Sequence, residues 1–274
     1  MALDKLVDSA QLDADLGDIA DAIRAKGGTS AELSFPQGFV DAVGAIETGA
    51  DPTVANFVVG LNPSAGEYIL QGIKTINIVR KGKDVAYKGG RVCSNCLSLS
   101  EVLETINVDY GIVQPTNGTD AFRSDRCEHL QTININIDTS EITGWDRFFY
   151  SKNTNNAHGI VVTGTPIDFN KMTRWSDTLE LYGLSEVRFV PNRIKATTVT
   201  ISANANAEYS NDTWASLINA LSDTVAGTLT IGSAAQGVIT GIIGRNNDGL
   251  FVIDADGDTN LMVFATTVKG WTVA

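Results

Sequence analysis

Apolar residues change their spacing along this chain near residue 50. Before it, Leu12, Leu16, Ile19, Ala20 and Ile23 recur at steps of three and four, with Asp13, Asp15, Asp18 and Asp21 between them. That period gathers the apolar side chains on one stripe of an α-helix. Ser9 stands where an N-cap is expected, Asp13 and Asp15 lie near the positive end of the helix dipole, and Arg24 and Lys26 lie near the negative end. Gly27-Gly28 stops the helix. A second, shorter helix is predicted after Pro36, aligning Phe39, Val43 and Ile46 ahead of Gly49. Two short helices bury little alone, so their stripes need a partner: the rest of the chain, sister copies, or another protein.

Beyond the linker-like Gly49-Ala50-Asp51-Pro52 the period shortens to two. Strands are predicted at Phe57-Val58-Val59, Thr75 to Val79, Thr105 to Val108 and Thr132 to Ile137, the last alternating isoleucine with asparagine. Such alternation buries one face of a strand and leaves the other polar. Further strands are expected at Ile160 to Val162, Val187 to Val190, Thr198 to Ile201 and Thr228 to Ile231. The pieces repeat. Cys96 to Val102 matches Cys127 to Ile133 in apolar placement at an offset of 31, and Leu181 to Val187 gives the frame again 54 further on, with Ile160 at the step between. A short strand in each unit of about 20–30 residues, none able to bury its own apolar face, is the pattern of a leucine-rich-repeat-like solenoid.

After Ala205 the pattern breaks. Asn211 is placed to cap a helix whose face holds Trp214, Leu217, Ile218 and Leu221, with Gly227 as its stop. The expected class is thus β-rich α+β, with an N-terminal helical hairpin (residues 1–50), a leucine-rich-repeat-like solenoid (51–205) and a C-terminal solenoid cap (206–274).

Composition narrows the function. A formal charge of −12 and a pI near 4.5 disfavour phosphate backbones and anionic lipid, so neither nucleic acid nor membrane is an expected partner. Arg80, Lys81, Lys83, Lys88 and Arg91 form the nearest basic stretch, and it is short. Asp8, Asp13 and Asp15 stand where a signal peptide needs apolar residues, and no run of eighteen apolar residues occurs. Three cysteines, an odd number, argue against a disulfide framework and for synthesis in a reducing cytoplasm.

Several constellations carry potential chemistry. Cys93-x-x-Cys96 with Cys127-x-His129 offers three thiols and an imidazole, a possible zinc set; equally, Cys96 and Cys127 occupy one frame of two units and can stack as small buried residues. Asp254-x-Asp256-x-Asp258 begins like a calcium loop, but Thr259 stands at the sixth position and Ala265 at the twelfth, where glycine and glutamate are required. A surface turn is the simpler reading. Glycoside hydrolysis needs two carboxylates at a set separation, and nothing in the spacing of Glu141, Asp146, Asp177 and Glu180 selects a pair. His129 and His158 have no recognisable nucleophile beside them, and no glycine-rich phosphate loop follows a strand. Trp145, Phe148, Phe149, Tyr150 and Trp175 are either core or a platform for sugar stacking. No catalytic, cofactor or metal residue is assigned, and a non-enzymatic role is expected.

Residues 6–49 carry a resemblance. Leu6-Val7-Asp8-Ser9-Ala10-Gln11-Leu12-Asp13, then Ile19-Ala20-Asp21-Ala22-Ile23-Arg24-Ala25-Lys26-Gly27-Gly28-Thr29, and Leu33 to Val43 with Ile46-Glu47-Thr48-Gly49, resemble a module of tail-associated structural proteins of phages and prophages. Leu184 to Asn192, the helix from Asn211, Ile231-Gly232-Ser233 and Lys269-Gly270-Trp271-Thr272 resemble the C-terminal end of such proteins, whose repeats look like the surface-protein type of leucine-rich repeat. The resemblance implies a tail component of a virion, attached to other tail proteins or to sister copies through residues 1–50. It also implies host recognition or adhesion, with a host surface glycan or protein as partner. A polysaccharide-degrading tail enzyme and a bacterial leucine-rich adhesin are the alternatives.

Overall fold

In a computed structural model of the chain the described residues are 15–21, 53–59, 74–80, 102–108, 118–119, 121–123, 127–150 and 158–274. The chain divides into two compact units, Met1–Pro52 and Thr53–Ala274. In the first, residues 15–21 are helical (α1), with Ala20 buried and Leu16 half-buried. Ile19, expected on the buried stripe, is 50% exposed. The predicted second helix after Pro36 lies outside the described residues, as do Cys93, Cys96 and the basic stretch beyond Arg80.

The second unit is a parallel β-solenoid. Six strands, β1 (Val54–Val59), β2 (Thr75–Arg80), β3 (Thr105–Val108), β5 (Thr132–Ile135), β7 (Ile160–Gly164) and β9 (Leu184–Glu186), stack in that order, all parallel. Between them β4 (Phe122–Arg123), β6 (Phe149–Tyr150) and β8 (Leu179–Glu180) form a second parallel sheet. The register aligns like with like: Ile76, Ile106, Ile133 and Val162 fall beside one another, all buried. A parallel turn cannot satisfy its own backbone or cover its own apolar face, so each depends on the next.

That register corrects the repeat frame. Ile133 lies beside Ile106, an offset of 27, and not beside Val102 at 31. Leu99 and Val102 supply a false match to Leu130 and Ile133, because the apolar spacing that counts, Leu103-x-x-Ile106-x-Val108, starts later. The strand expected at Val187 to Val190 also shifts, to Leu184–Glu186. Beyond it Phe189 keeps a single parallel bridge to Ile167, while the Val187 and Phe189 N–H groups on the open edge meet hydroxyls of a helix.

The second sheet is floored by aromatics. Phe122 stacks on Phe149 at 5.2 Å between ring centres, Phe148 meets both edge-on, and Trp145 touches Phe148 and Phe169. Trp145, Phe148 and Phe149 are fully buried, which makes them core and removes them as a sugar platform. One apolar core runs without a break from Ile76 to Trp271.

The C-terminal end departs from the repeat. Helix α2 (Asn211–Ala220) is capped by Ser210, whose hydroxyl accepts from Thr213 N–H, and ends at Leu221. The expected cap Asn211 is its first residue, and the expected stop Gly227 lies beyond. Gly227 instead admits the Trp271 ring: a Cβ there would sit 2.8 Å from it. Strands β10 (Thr198–Thr200), β11 (Thr228–Thr230) and β15 (Thr272–Val273) make a third parallel sheet. Helix α3 (Ser233–Gly241) leads into an antiparallel group of β12 (Ile243–Asn247), β13 (Leu250–Ile253) and β14 (Thr259–Asn260). Asp248 and Gly249 close the β12–β13 hairpin with φ of 49° and 81°, as a type I′ turn requires. A helical turn, Leu261–Val263, and a π-helical turn, Phe264–Val268, return the chain to β15.

Candidate functional site: the outer face of the parallel sheet

Alternation along β2, β3 and β5 turns isoleucine inward and leaves threonine and asparagine outward, with Val54 and Val161 half-buried at the two ends of the threonine row. Thr75, Thr105 and Thr132 align in one row and Asn77, Asn107 and Asn134 in the next, all half-buried. The amides are linked across turns. Asn107 Nδ2 donates to Asn77 Oδ1 at 2.8 Å, Asn134 Nδ2 donates to Asn107 Oδ1 at 2.6 Å, and the Thr163 hydroxyl donates to Asn134 Oδ1. A carboxamide has two N–H groups and two acceptor positions, so the ladder leaves Asn107 and Asn134 one N–H each. It also points every amide the same way.

At its C-terminal end this face enters a groove of about 230 Å³. It is lined by Val161, Thr163 and Thr165 of β7 and its exit, by Glu186 and Arg188, and by Asp212 of α2. Glu186, Arg188 and Asp212 are exposed. The sheet ends here because α2 covers the edge of β9. Ser185 O accepts from Ser210 N–H (3.0 Å) and Thr213 Oγ1 (2.9 Å), Val187 N–H donates to Thr213 Oγ1 (3.1 Å), and Phe189 N–H donates to Ser216 Oγ (2.8 Å). Ser210 and Thr213 are thereby committed to backbone. Gly164 lets the backbone turn out of the sheet at φ 93°, where a Cβ would lie 2.3 Å from Ile135 O. Just outside the groove Glu208 pairs with His158 and accepts from Gly159 N–H at 2.7 Å, pinning the entry to β7.

The residues singled out in the sequence fall elsewhere. Cys127 is buried and His129 exposed, so this thiol and imidazole point apart. Among the described residues no group of three His, Cys, Asp or Glu converges. Asp254 accepts from Asp256 N–H at 2.9 Å and pairs with Arg245, which makes its loop a surface turn closed by its own carboxylate. Glu141 pairs with Lys171 (3.8 Å) and Asp146 with Arg174 (3.3 Å), each across neighbouring turns. Asp177 occupies a corner at φ 48°. Glu180 accepts from Ser202 N–H at 2.9 Å, and burial raises its pKa above the usual carboxylate value, with the Ser202 bonds opposing. Burial likewise raises the Tyr209 phenol, which donates to Leu179 O at 3.2 Å. Lys269 is buried against Asn192 Oδ1 and Asn219 O, and desolvation lowers its pKa.

The groove residues Glu186, Arg188 and Asp212 carry no sequence motif and were not anticipated. The ladder did have a signal, the Thr-Ile-Asn triplet at 75, 105 and 132, which the alternation explained as solvent-facing polarity without assigning it a task.

Fold and face together define a parallel β-solenoid with a hydrogen-bonding sheet face that opens into a groove. No protein-family model, curated protein or solved structure matches the chain. Among the described residues no helix is long and apolar enough to cross a membrane.

Proposed function

We propose that this chain is a tail-associated structural or receptor-binding protein of a phage or prophage, in which the solenoid recognises a host surface glycan or protein. The observation that carries this reading is the outward rank of amides and hydroxyls ending in a groove, a surface suited to binding rather than to packing. Residues 1–50 attach the solenoid to other tail proteins or to sister copies, as their resemblance to a tail module suggests. Support for leucine-rich repeats comes from the frames Leu103-x-x-Ile106-x-Val108, Leu130-x-x-Ile133-x-Ile135 and Leu184-x-x-Val187-x-Phe189, all buried. The protein acts by binding and not by catalysis.

The test is adsorption. Purified full-length chain is expected to coat host cells and to compete with virion attachment, and antibodies to it should label the tail. Virions that stay unlabelled and adsorb undiminished would rule the reading out. The rival, polysaccharide cleavage, draws on Glu186 and Asp212 sharing one groove. Release of reducing ends from host wall polysaccharide, lost in Glu186→Gln or Asp212→Asn, would replace binding with cleavage.

A further inference from the structure

We infer that the ligand of the sheet face is an uncharged polysaccharide lying along the solenoid axis, one stretch of sugar per turn, with its end seated in the groove. The inference rests on the recognition reading above and narrows it to a ligand class and a binding direction.

Three observations carry it. First, the face repeats along the axis and not across it. Asn77, Asn107, Asn134 and Thr163 are successive rungs, flanked by Thr75, Thr105 and Thr132. Parallel strands lie about 4.8 Å apart, so the four rungs present like groups over roughly 14 Å. A ligand that gains from such a row must itself repeat, which a polymer of similar sugars does. Its hydroxyls both donate and accept, matching threonine hydroxyls and the spare amide N–H groups of Asn107 and Asn134.

Second, among the described residues the face offers no exposed apolar anchor of the kind a protein partner uses, its Val54 and Val161 being half-buried. Protein interfaces are anchored by buried aromatic and aliphatic side chains. Among the described residues the exposed large hydrophobics are Ile19, Val238, Ile243, Val252, Ile253, Val263 and Val268, and none is on this face. Of the aromatics that might have formed a stacking platform, Trp145, Phe148 and Phe149 are buried in the core, Tyr150 and Trp175 are half-buried, and none of the five belongs to a strand of this face, so recognition here is by hydrogen bonds.

Third, charge selects against polyanions. The rungs are neutral, the groove sets Glu186 and Asp212 against the single Arg188, and the chain as a whole carries −12. Phosphate-linked wall polymers and uronic-acid polymers are repelled by such a surface.

Affinity electrophoresis and calorimetry of the full-length chain provide the test. The neutral probes are dextran, laminarin and N-acetylglucosamine oligosaccharides; the anionic ones are poly(glycerol phosphate) and polygalacturonate. At least one neutral probe should bind, with affinity rising with chain length until the ligand spans the rungs and then levelling off. Thr105→Val with Thr132→Val keeps side-chain shape and removes two hydroxyls; it should weaken binding at least tenfold at an unchanged thermal midpoint. Arg188→Ala should weaken it less and shift the length at which affinity levels off. The inference is overturned if no neutral probe binds, if an anionic probe binds more tightly, if affinity is independent of length, or if the double variant binds like the parent. Chain that coats host cells but loses them after protease treatment would overturn the glycan and leave the recognition reading intact. Neutral-glycan binding along the rungs without any tail labelling would do the reverse.

Discussion

The stack from β1 to β9 and the end from Val187 onward solve one problem in two ways. Within the stack each turn finds its partner in a related turn, most regularly at β2, β3 and β5: isoleucine on isoleucine, asparagine amide to asparagine amide, strand to strand in register. At the end no further copy exists, and side chains take over the work of a missing strand. Thr213 and Ser216 meet the backbone of Val187 and Phe189, Asn219 meets that of Phe251, and the Trp175 indole N–H reaches Thr200 O at 2.9 Å. The lesson is that periodic regions draw stability from repetition, whereas an end must build each satisfying group individually. Single substitutions should therefore cost more at the end than on the polar face of the stack.

The sharpest probe of that contrast is Thr213→Val. It keeps the shape of a side chain that is buried at 1% exposure and strands the Val187 N–H just beyond β9, while Ser185 O keeps its bond from Ser210 N–H. Unfolding by urea should show a loss of about 1–3 kcal/mol, the cost of one buried polar group left unpaired. Thr132→Val, on the half-buried face of the stack, is the control; equal losses in the two would dissolve the contrast. A smaller effect is expected from Asn107→Ala, which removes the middle rung and frees Asn77 and Asn134 from each other. Both neighbours keep access to water, so about 1 kcal/mol should be lost, measured the same way.

The smallest effect is a pH dependence. Burial raises the folded-state pKa of Glu180, so the stability it contributes is complete below its unfolded value of about 4.5 and is lost as pH rises through the folded value. Glu180→Gln removes that loss while its side-chain oxygen still accepts from Ser202 N–H. The variant should melt a degree or two above the parent at pH 7, as expected from a modest gain in a domain of this size. The gain should vanish by pH 4. A difference independent of pH would show that the carboxylate's charge is not what matters at that corner.

Much of the stack was legible in the chain. Thr105 to Val108 is a strand with the predicted bounds, and Thr75, Thr132, Ile160, Thr198 and Thr228 all begin strands where alternation placed them. Alternation is local, so it survives loss of register. Register itself depends on how many residues each corner spends, and Leu99 and Val102 imitate Leu103 and Ile106 well enough to mislead by four positions. A second repeat went unread: Ile142, Thr143 and Trp145 recur thirty residues on as Met172, Thr173 and Trp175. The end was harder still. Ser210 rather than Asn211 caps α2 because Ser210 also has to bond β9, a long-range demand that a local cap rule does not include. Asp248-Gly249 was the plainest missed signal, since that dipeptide between apolar runs is a hairpin turn by backbone chemistry alone. The groove was illegible for a different reason: Glu186, Arg188 and Asp212 are brought together only by the helix that closes the sheet.

The Asn219 side chain has a consequence of its own. Its amide donates to Phe251 O at 2.9 Å and accepts from Phe251 N–H at 2.7 Å, occupying both outward backbone groups of the residue at the middle of edge strand β13. Without such a clasp, that strand would be a growth front, ready to template the same segment of a neighbouring molecule as a crystal step templates the next layer. One asparagine poisons the step. Copies of this chain can therefore be crowded together without seeding a fibre from this strand.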